Sequence, residues 1–301
     1  MERLLITLIL VCTMNNITNA QNPFYGQYHT PHEAVPFDRI ETEHYEPAIL
    51  EGIKLQNAEI EAIIQNPEKA DFTNTIEAFE ESGELLDKVV AVFGNMLSAE
   101  TNDDLQELAQ KIMPLLSEHS NNITLNEKLF ARVKEVYNQK ETLQLTQEQK
   151  QLLENAYNSF IRHGANLEGE AREEYRRLTT ELSKLTLTFS ENNLKETNAY
   201  QMLLTKKESL AGLPEIIIEA AAETAKNEEK EGWAFTLHAP SYIPFMTYSD
   251  NRDLRQKLYM AYNTKCTHDN EFNNIDIVKK IANTRMKICL LYTSPSPRDP
   301  K

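Results

Sequence analysis

Glycine is scarce in this chain, with 8 among 301 residues. A fold of many strands needs many tight turns, and tight turns draw on glycine. The shortage therefore argues against a sheet-rich architecture, and few prolines interrupt the long periodic stretches, so helix is the default. Cysteine is nearly absent as well. Cys12 and Cys289 fall in terminal segments set apart below, and Cys266 alone remains, so no internal disulfide is expected. Stability must then come from the core, which a hydrophobic content of 41% can supply. Basic charge is in deficit: 31 Lys and Arg against 46 Asp and Glu leave a net charge of -15. Such a surface repels phosphate backbones, and nucleic acid is not expected as a partner. A membrane-spanning helix takes roughly 20 apolar residues. The run from Leu4 to Cys12 is too short for that.

The familiar catalytic signatures are missing too. The chain has no Gly-x-Ser-x-Gly, no phosphate-binding glycine loop and no Cys-x-x-Cys. His32-Glu33-Ala-Val-Pro36 begins like the zinc-binding His-Glu-x-x-His, but proline stands where the second histidine must be. The neighbouring prolines also deny the segment the helix that would bring residues i and i+4 to one face. His29 and His32 are therefore not read as metal ligands. His44 sits among Glu41, Glu43 and Glu46 at a helix start, where carboxylates complement the helix dipole. His119, His163, His238 and His268 stand alone and read as surface or internally satisfied side chains. No catalytic, cofactor-binding or metal-ligating residue is assigned between Gln21 and Ile288.

What is present is helical periodicity with starting signals. Residues 21–40, with Pro23, Pro31 and Pro36, read as an extended arm that packs on the body through Phe24, Tyr25 and Phe37. Residues 44–65 place Ile49, Ile53, Ile60 and Ile64 on one face. Asn74 with Glu77 resembles a capping box opening a helix through Leu85, Val89 and Phe93. Thr101 with Asp104 is expected to cap the next, through Leu105, Leu108 and Ile112 to about Leu116. A shorter helix follows over 127–138. Thr146 with Gln149 caps another, with Leu153, Tyr157, Phe160 and Ile161 inward. Ala171, Tyr175, Leu178, Leu182, Leu185 and Phe189 recur at spacings of 4, 3, 4, 3 and 4, which predicts one long helix packed by heptad geometry. Beyond Leu203 a short helix is expected over 216–226. Trp233, Phe235 and Leu237 alternate as in a strand, the basis for at most one small hairpin. Pro240 and Pro244 predict a loop or edge element. Asp250 with Asp253 should start a helix through Leu254, Leu258 and Tyr262, and a last helix should begin near Asn274. The fold class is all-α, mainly helical.

Both ends read differently from the body. Residues 1–20 have the form of a secretory signal: Arg3, the apolar run, then small residues at Thr18-Asn19-Ala20. Soluble export, into a periplasm, is the expectation. Residues 289–301, beginning Cys289-Leu-Leu-Tyr-Thr-Ser-Pro-Ser-Pro-Arg-Asp299, match the translation of a sequencing adapter. The expectation is a genuine reading frame that leaves its gene near Ile288. Residues 21–288 would then be a helical N-terminal lobe and 289–301 non-native.

A set of short segments carries a family resemblance. They are Asn22-Pro-Phe24, Pro36-Phe-Asp-Arg-Ile-Glu-Thr-Glu-His44, Phe72-Thr-Asn-Thr-Ile76, Ala99-Glu-Thr-Asn-Asp103, Leu125-Asn-Glu-Lys-Leu-Phe130, Arg162-His-Gly-Ala165 and Glu181-Leu-Ser-Lys-Leu185. Ala239-Pro-Ser-Tyr-Ile-Pro244, Arg252-Asp-Leu-Arg255 and Ala261-Tyr262 extend the series. In order and spacing they resemble the thimet-oligopeptidase-like zinc metallopeptidases, the family of peptidyl-dipeptidase Dcp and oligopeptidase A. The resemblance implies a helical two-lobed fold around a channel that admits short unfolded peptides. It also implies one zinc held by His-Glu-x-x-His and a later glutamate, and, in Dcp-like members, release of dipeptides from the C-terminus. None of those catalytic residues can be carried onto residues 21–288, so the chain itself is expected to be inactive and to bind no zinc. The other reading is a genuine short, non-catalytic helical module that binds peptide or protein.

Overall fold

A computed structural model of the protein describes residues 22–292. Among them are ten helices and one two-stranded antiparallel sheet, so the chain is mainly helical. The chain divides into two compact units. The described part of the first is residues 22–183 and 287–292, and the second is Lys184–Met286.

The first unit is built on α1 (Thr42–Gln65) and α2 (Glu84–Ala99). Gly52 of α1 is what lets them meet, because a Cβ there would lie 2.9 Å from the Leu86 Cα. On α1 the inward side chains are Tyr45, Ala48, Ile49, Ile60 and Ile63, so Ile63 holds the place expected for Ile64, which is half-buried with Ile53. The approach to α2 departs from the expected capping box at Asn74. The cap is Asp71, whose carboxylate accepts from the Asn74 N–H at 2.7 Å, and it opens a π-type turn, Phe72–Glu77. Gly83, at φ 87°, then breaks the chain before α2 begins.

Next come α3 (Asp103–Thr124), α4 (Glu127–Asn138) and α5 (Gln147–Arg162). Asn102, not Thr101, caps α3 by accepting from the Leu105 N–H at 2.8 Å, and α3 runs eight residues past Leu116. Thr146 and Gln149 form the expected box at the start of α5. One core joins these helices: Ile60, Ile76, Leu129, Val133, Val136, Leu153 and Phe160 are all at most 5% exposed. Phe160 stacks against Phe130 at 5.8 Å and tilts against Phe79 at 5.4 Å. The long helix α6 (Gly169–Ala199) carries the heptad seam. Its Tyr175 and Leu178 are buried with Leu125, Leu167 and Ile288, whereas Phe189 near the other end is 39% exposed.

In the second unit β1 (Gln201–Leu204) pairs with β2 (Trp233–Thr236), Gln201 opposite Thr236 and Leu204 opposite Trp233. The strand at Trp233 is present as read, but its partner is not adjacent in sequence, so the pair is not a hairpin. α7 (Glu215–Asn227) lies between the strands in sequence. Two prolines notwithstanding, Ala239–Tyr248 forms α8. Pro240 lies in the first turn, where no N–H is required, and Pro244 forfeits one hydrogen bond. Phe245, fully buried and 4.6 Å from Phe235, holds the helix against the sheet. α9 (Arg252–Asn263) is capped by Asn251, one residue beyond Asp250. α10 (Ile275–Tyr292) continues four residues past Ile288, and its Leu291 lies against the cluster of Leu125, Leu167, Tyr175 and Leu178. The segment expected to be a secretory signal and the end of the adapter-like one, residues 1–21 and 293–301, lie outside the described residues.

Candidate functional site

Named side chains enclose a recess of about 800 Å³ in the first unit. Its walls come from the arm (Phe24 to Tyr28, and Glu33), from Glu51 and Leu55 of α1, and from Glu84, Leu85 and Lys88 of α2. The arm is held at three points. Asn22 donates from Nδ2 to the His44 carbonyl at 2.8 Å and accepts from the Phe24 N–H at 3.1 Å. Phe24 is fully buried, 5.4 Å from the Tyr45 ring, which lies 5.1 Å from Phe93. Lys88 donates to the Gly26 carbonyl at 2.6 Å and sits 3.9 Å from the centre of the Tyr28 ring. Of the three aromatics expected to seat the arm, Phe24 is buried, Tyr25 is half-buried and Phe37 is 50% exposed.

The electrostatics of the recess follow from that packing. Burial lowers the pKa of Lys88, opposed by the carboxylates of Glu84 and Glu33. Burial raises Tyr28 and, with help from the Glu51 charge, Tyr25. Glu51 is itself paired with Lys54 at 2.9 Å. The lining has no histidine, cysteine or serine. Lys88 acts as a clamp for the arm.

Glu33 apart, the remaining chemistry-bearing residues do not line the recess. His32 and Glu33 lie in a 3-10 turn with left-handed φ of 58° and 55°, not on an α-helix. His44 accepts the Glu41 N–H on Nδ1 at 2.9 Å and so helps open α1, a role beyond surface charge that the sequence reading missed. His119 is buried on α3 with Nε2 2.7 Å from the Gln56 Oε1. The Gln56 amide donates to the Ser82 carbonyl, which leaves Oε1 as acceptor and makes His119 the donor. Burial lowers the pKa of that imidazole. His163 is bonded to the Ser159 carbonyl at 2.7 Å, and His238 precedes α8.

In the second unit Cys266, at φ 58°, is buried beside Glu196, which accepts its backbone N–H. Burial, then the hydrogen bond to Glu196, push the thiol up to about 11. His268 stands 3.9 Å from the same carboxylate. A thiol so suppressed is a poor nucleophile and a poor ligand. Among the described residues no group of three or more His, Cys, Asp or Glu side chains could hold a metal ion. No described helix is long and apolar enough to cross a membrane.

No family model matches the chain. It is 35% identical over 275 residues to the dipeptidyl carboxypeptidase of Escherichia coli strain K12, covering 91% of this chain and 40% of that protein. To oligopeptidase A of Salmonella typhimurium strain LT2 it is 28% identical over 274 residues, covering 90% and 40%. To the probable cytosolic oligopeptidase A of Arabidopsis thaliana it is 25% identical over 280 residues, covering 90% and 39%. Dipeptidyl carboxypeptidase and oligopeptidase A, of the thimet-oligopeptidase family, are thus homologues of nearly all of this chain, which spans about 40% of their length.

Proposed function

We propose that this chain is the N-terminal helical lobe of an exported, zinc-dependent peptidyl-dipeptidase that releases dipeptides from the C-termini of short unfolded peptides. One observation carries the reading. At 35% identity, 91% of this chain aligns with only 40% of a dipeptidyl carboxypeptidase. The chemistry that such a name implies has the larger share of the relative's length to occupy. The described residues do not fit a zinc ion, since none of their His, Cys, Asp and Glu side chains group in threes as ligands. In this reading the metal and the general base belong to the remaining length, and no catalytic step runs through residues 22–292. Their part is to wall the peptide channel. Residues 1–20, with the form of a secretory signal, support export into a periplasm.

The test is the coding DNA beyond the codon for Ile288 in an independent clone. The frame is expected to continue, to encode His-Glu-x-x-His, and to yield a protein that cleaves a blocked tripeptide until a chelator is added. The 301-residue chain, given zinc, is expected to be silent in the same assay. A frame that ends after Lys301 in the independent clone would refute the proposal and leave the short binding module. Chelator-sensitive turnover by the 301-residue chain would refute it from the other side.

A further inference from the structure

α10 is apolar on two opposite faces. At about 100° per residue, Ile277, Ile281, Thr284, Ile288 and Leu291 fall on one side of the helix. Thr284 and Ile288 are buried there, and the other three are half-buried. Ile275, Val278, Ala282 and Met286 fall within about 80° of one another on the opposite side. Ile275 is 43% exposed, Val278 48% and Met286 53%, and Ala282 is exposed as well. Scattered exposed apolar residues need no explanation, but four in register over three turns form a stripe of the kind that packs against another helix.

The stripe has a charged border. Arg285 and Lys279 lie about 20° outside its two edges on the helical wheel. The whole helix carries Lys279, Lys280, Arg285 and Lys287 against a single acidic residue, Asp276, a net +3 in a chain of net -15. Lys279 is 3.1 Å from Asp276, and all four basic side chains are exposed. Two copies of α10 laid face to face would oppose like charges, which disfavours self-pairing through this stripe.

We infer that the Ile275–Val278–Ala282–Met286 stripe is the seat of an amphipathic helix whose apolar face is bordered by carboxylates. That helix is supplied by the part of the parent protein that this chain does not span. The inference rests on the fragment reading proposed above. Two observations select the occupant. The relatives extend well beyond the two fifths of their length matched here, and α10 is the last element described. The basic border fits an acidic-edged partner.

The longer protein from the independent clone tests it, with the photo-crosslinking residue p-benzoylphenylalanine in place of Ala282. The expected crosslink is within one chain, to a helical segment encoded after codon 288 that has Asp or Glu within one turn of the linked residue. Val278→Glu with Met286→Glu should cut that yield at least about tenfold, equivalent to ~1.4 kcal/mol of docking. Circular dichroism should show the helix content of the double variant unchanged, because both sites are exposed. Raising the salt should reduce the yield in the parent protein but not in Lys279→Gln with Arg285→Gln. Crosslinks only between two chains, only to residues before 275, or unmoved by the double Glu variant would overturn the inference while leaving the fragment reading intact. A frame that stops after Lys301 would remove both, and the DNA decides that before any crosslink is made.

Discussion

Replacing Phe24 by alanine should be among the most costly changes in the first unit, although the residue lies in an arm and not in a helix. The ring is fully buried and tilts on Tyr45 at 5.4 Å, which in turn tilts on Phe93 at 5.1 Å. Truncating a buried phenylalanine costs about 3–5 kcal/mol, transfer and cavity together. Two anchors survive the change, Asn22 on the His44 carbonyl and Lys88 on the Gly26 carbonyl, so the arm stays tethered over the void. Phe37 is the internal control. It has the same side chain in the same arm but is 50% exposed, and its truncation should fall within about 0.5 kcal/mol of neutral. Urea unfolding of the full chain, followed by far-ultraviolet circular dichroism, separates the two. With m near 2–3 kcal/mol/M, Phe24→Ala should lower the midpoint by about 1–2 M and Phe37→Ala should barely move it. Hydrogen exchange over residues 22–28 should accelerate only in the first variant. Equal shifts for the two variants, or no shift for Phe24→Ala, would refute the account of how the arm is seated.

Two further outcomes follow from buried titratable groups. The folded-state pKa of His119 is depressed below its ordinary value of 6.5 by burial, so the unfolded chain takes up this proton first as the pH falls. Stability owed to a neutral His119 is complete above pH 6.5 and is lost on acidification towards the depressed folded value. Urea midpoints measured against pH should show that slope, and His119→Gln should flatten it; an unchanged slope would show that this imidazole is not the titrating group. Cys266, pushed up to about 11, should be about 1 part in 1000 thiolate at pH 8, against about 1 in 4 for an ordinary thiol. Alkylation read site by site by mass spectrometry should therefore modify the exposed Cys289 at least about tenfold faster, and comparable rates would contradict the buried pairing with Glu196.

Homologues of nearly the whole chain were within reach of the primary structure, because a family likeness is written in short segments that survive without coordinates. Its helices were legible for a related reason: apolar residues at 3 and 4 spacing can bury one face only as a helix. α4 and α5 stand where their periodicity puts them, and Thr146 with Gln149 does cap α5. Where several capping residues adjoin, local pattern could not choose between them. Asn102 caps α3 instead of Thr101, and Asn251 caps α9 instead of Asp250, each by accepting the N–H three residues on, from Leu105 and Leu254. In the candidate recess, sequence could offer the arm's aromatics but not rank them. Neither could it show that Lys88, some sixty residues further on, closes over the arm.

What the sequence determined alone was therefore local: the helical class and the short strand at Trp233. What only the tertiary structure decided was partnership. Gln201–Leu204 is made of good helix formers and becomes a strand only because Trp233–Thr236 offers it a ladder. Pro244 sits inside a helix because Phe245 buried on Phe235 more than offsets one lost hydrogen bond. His119 has its pKa lowered because the fold buries it, and its Nε2 is a donor because Gln56, a helix away, has its amide nitrogen committed to Ser82 and offers Oε1. Each of these depends on residues far apart in sequence, and burial free energy, unlike helical propensity, is a property of what the chain brings together and not of the segment itself.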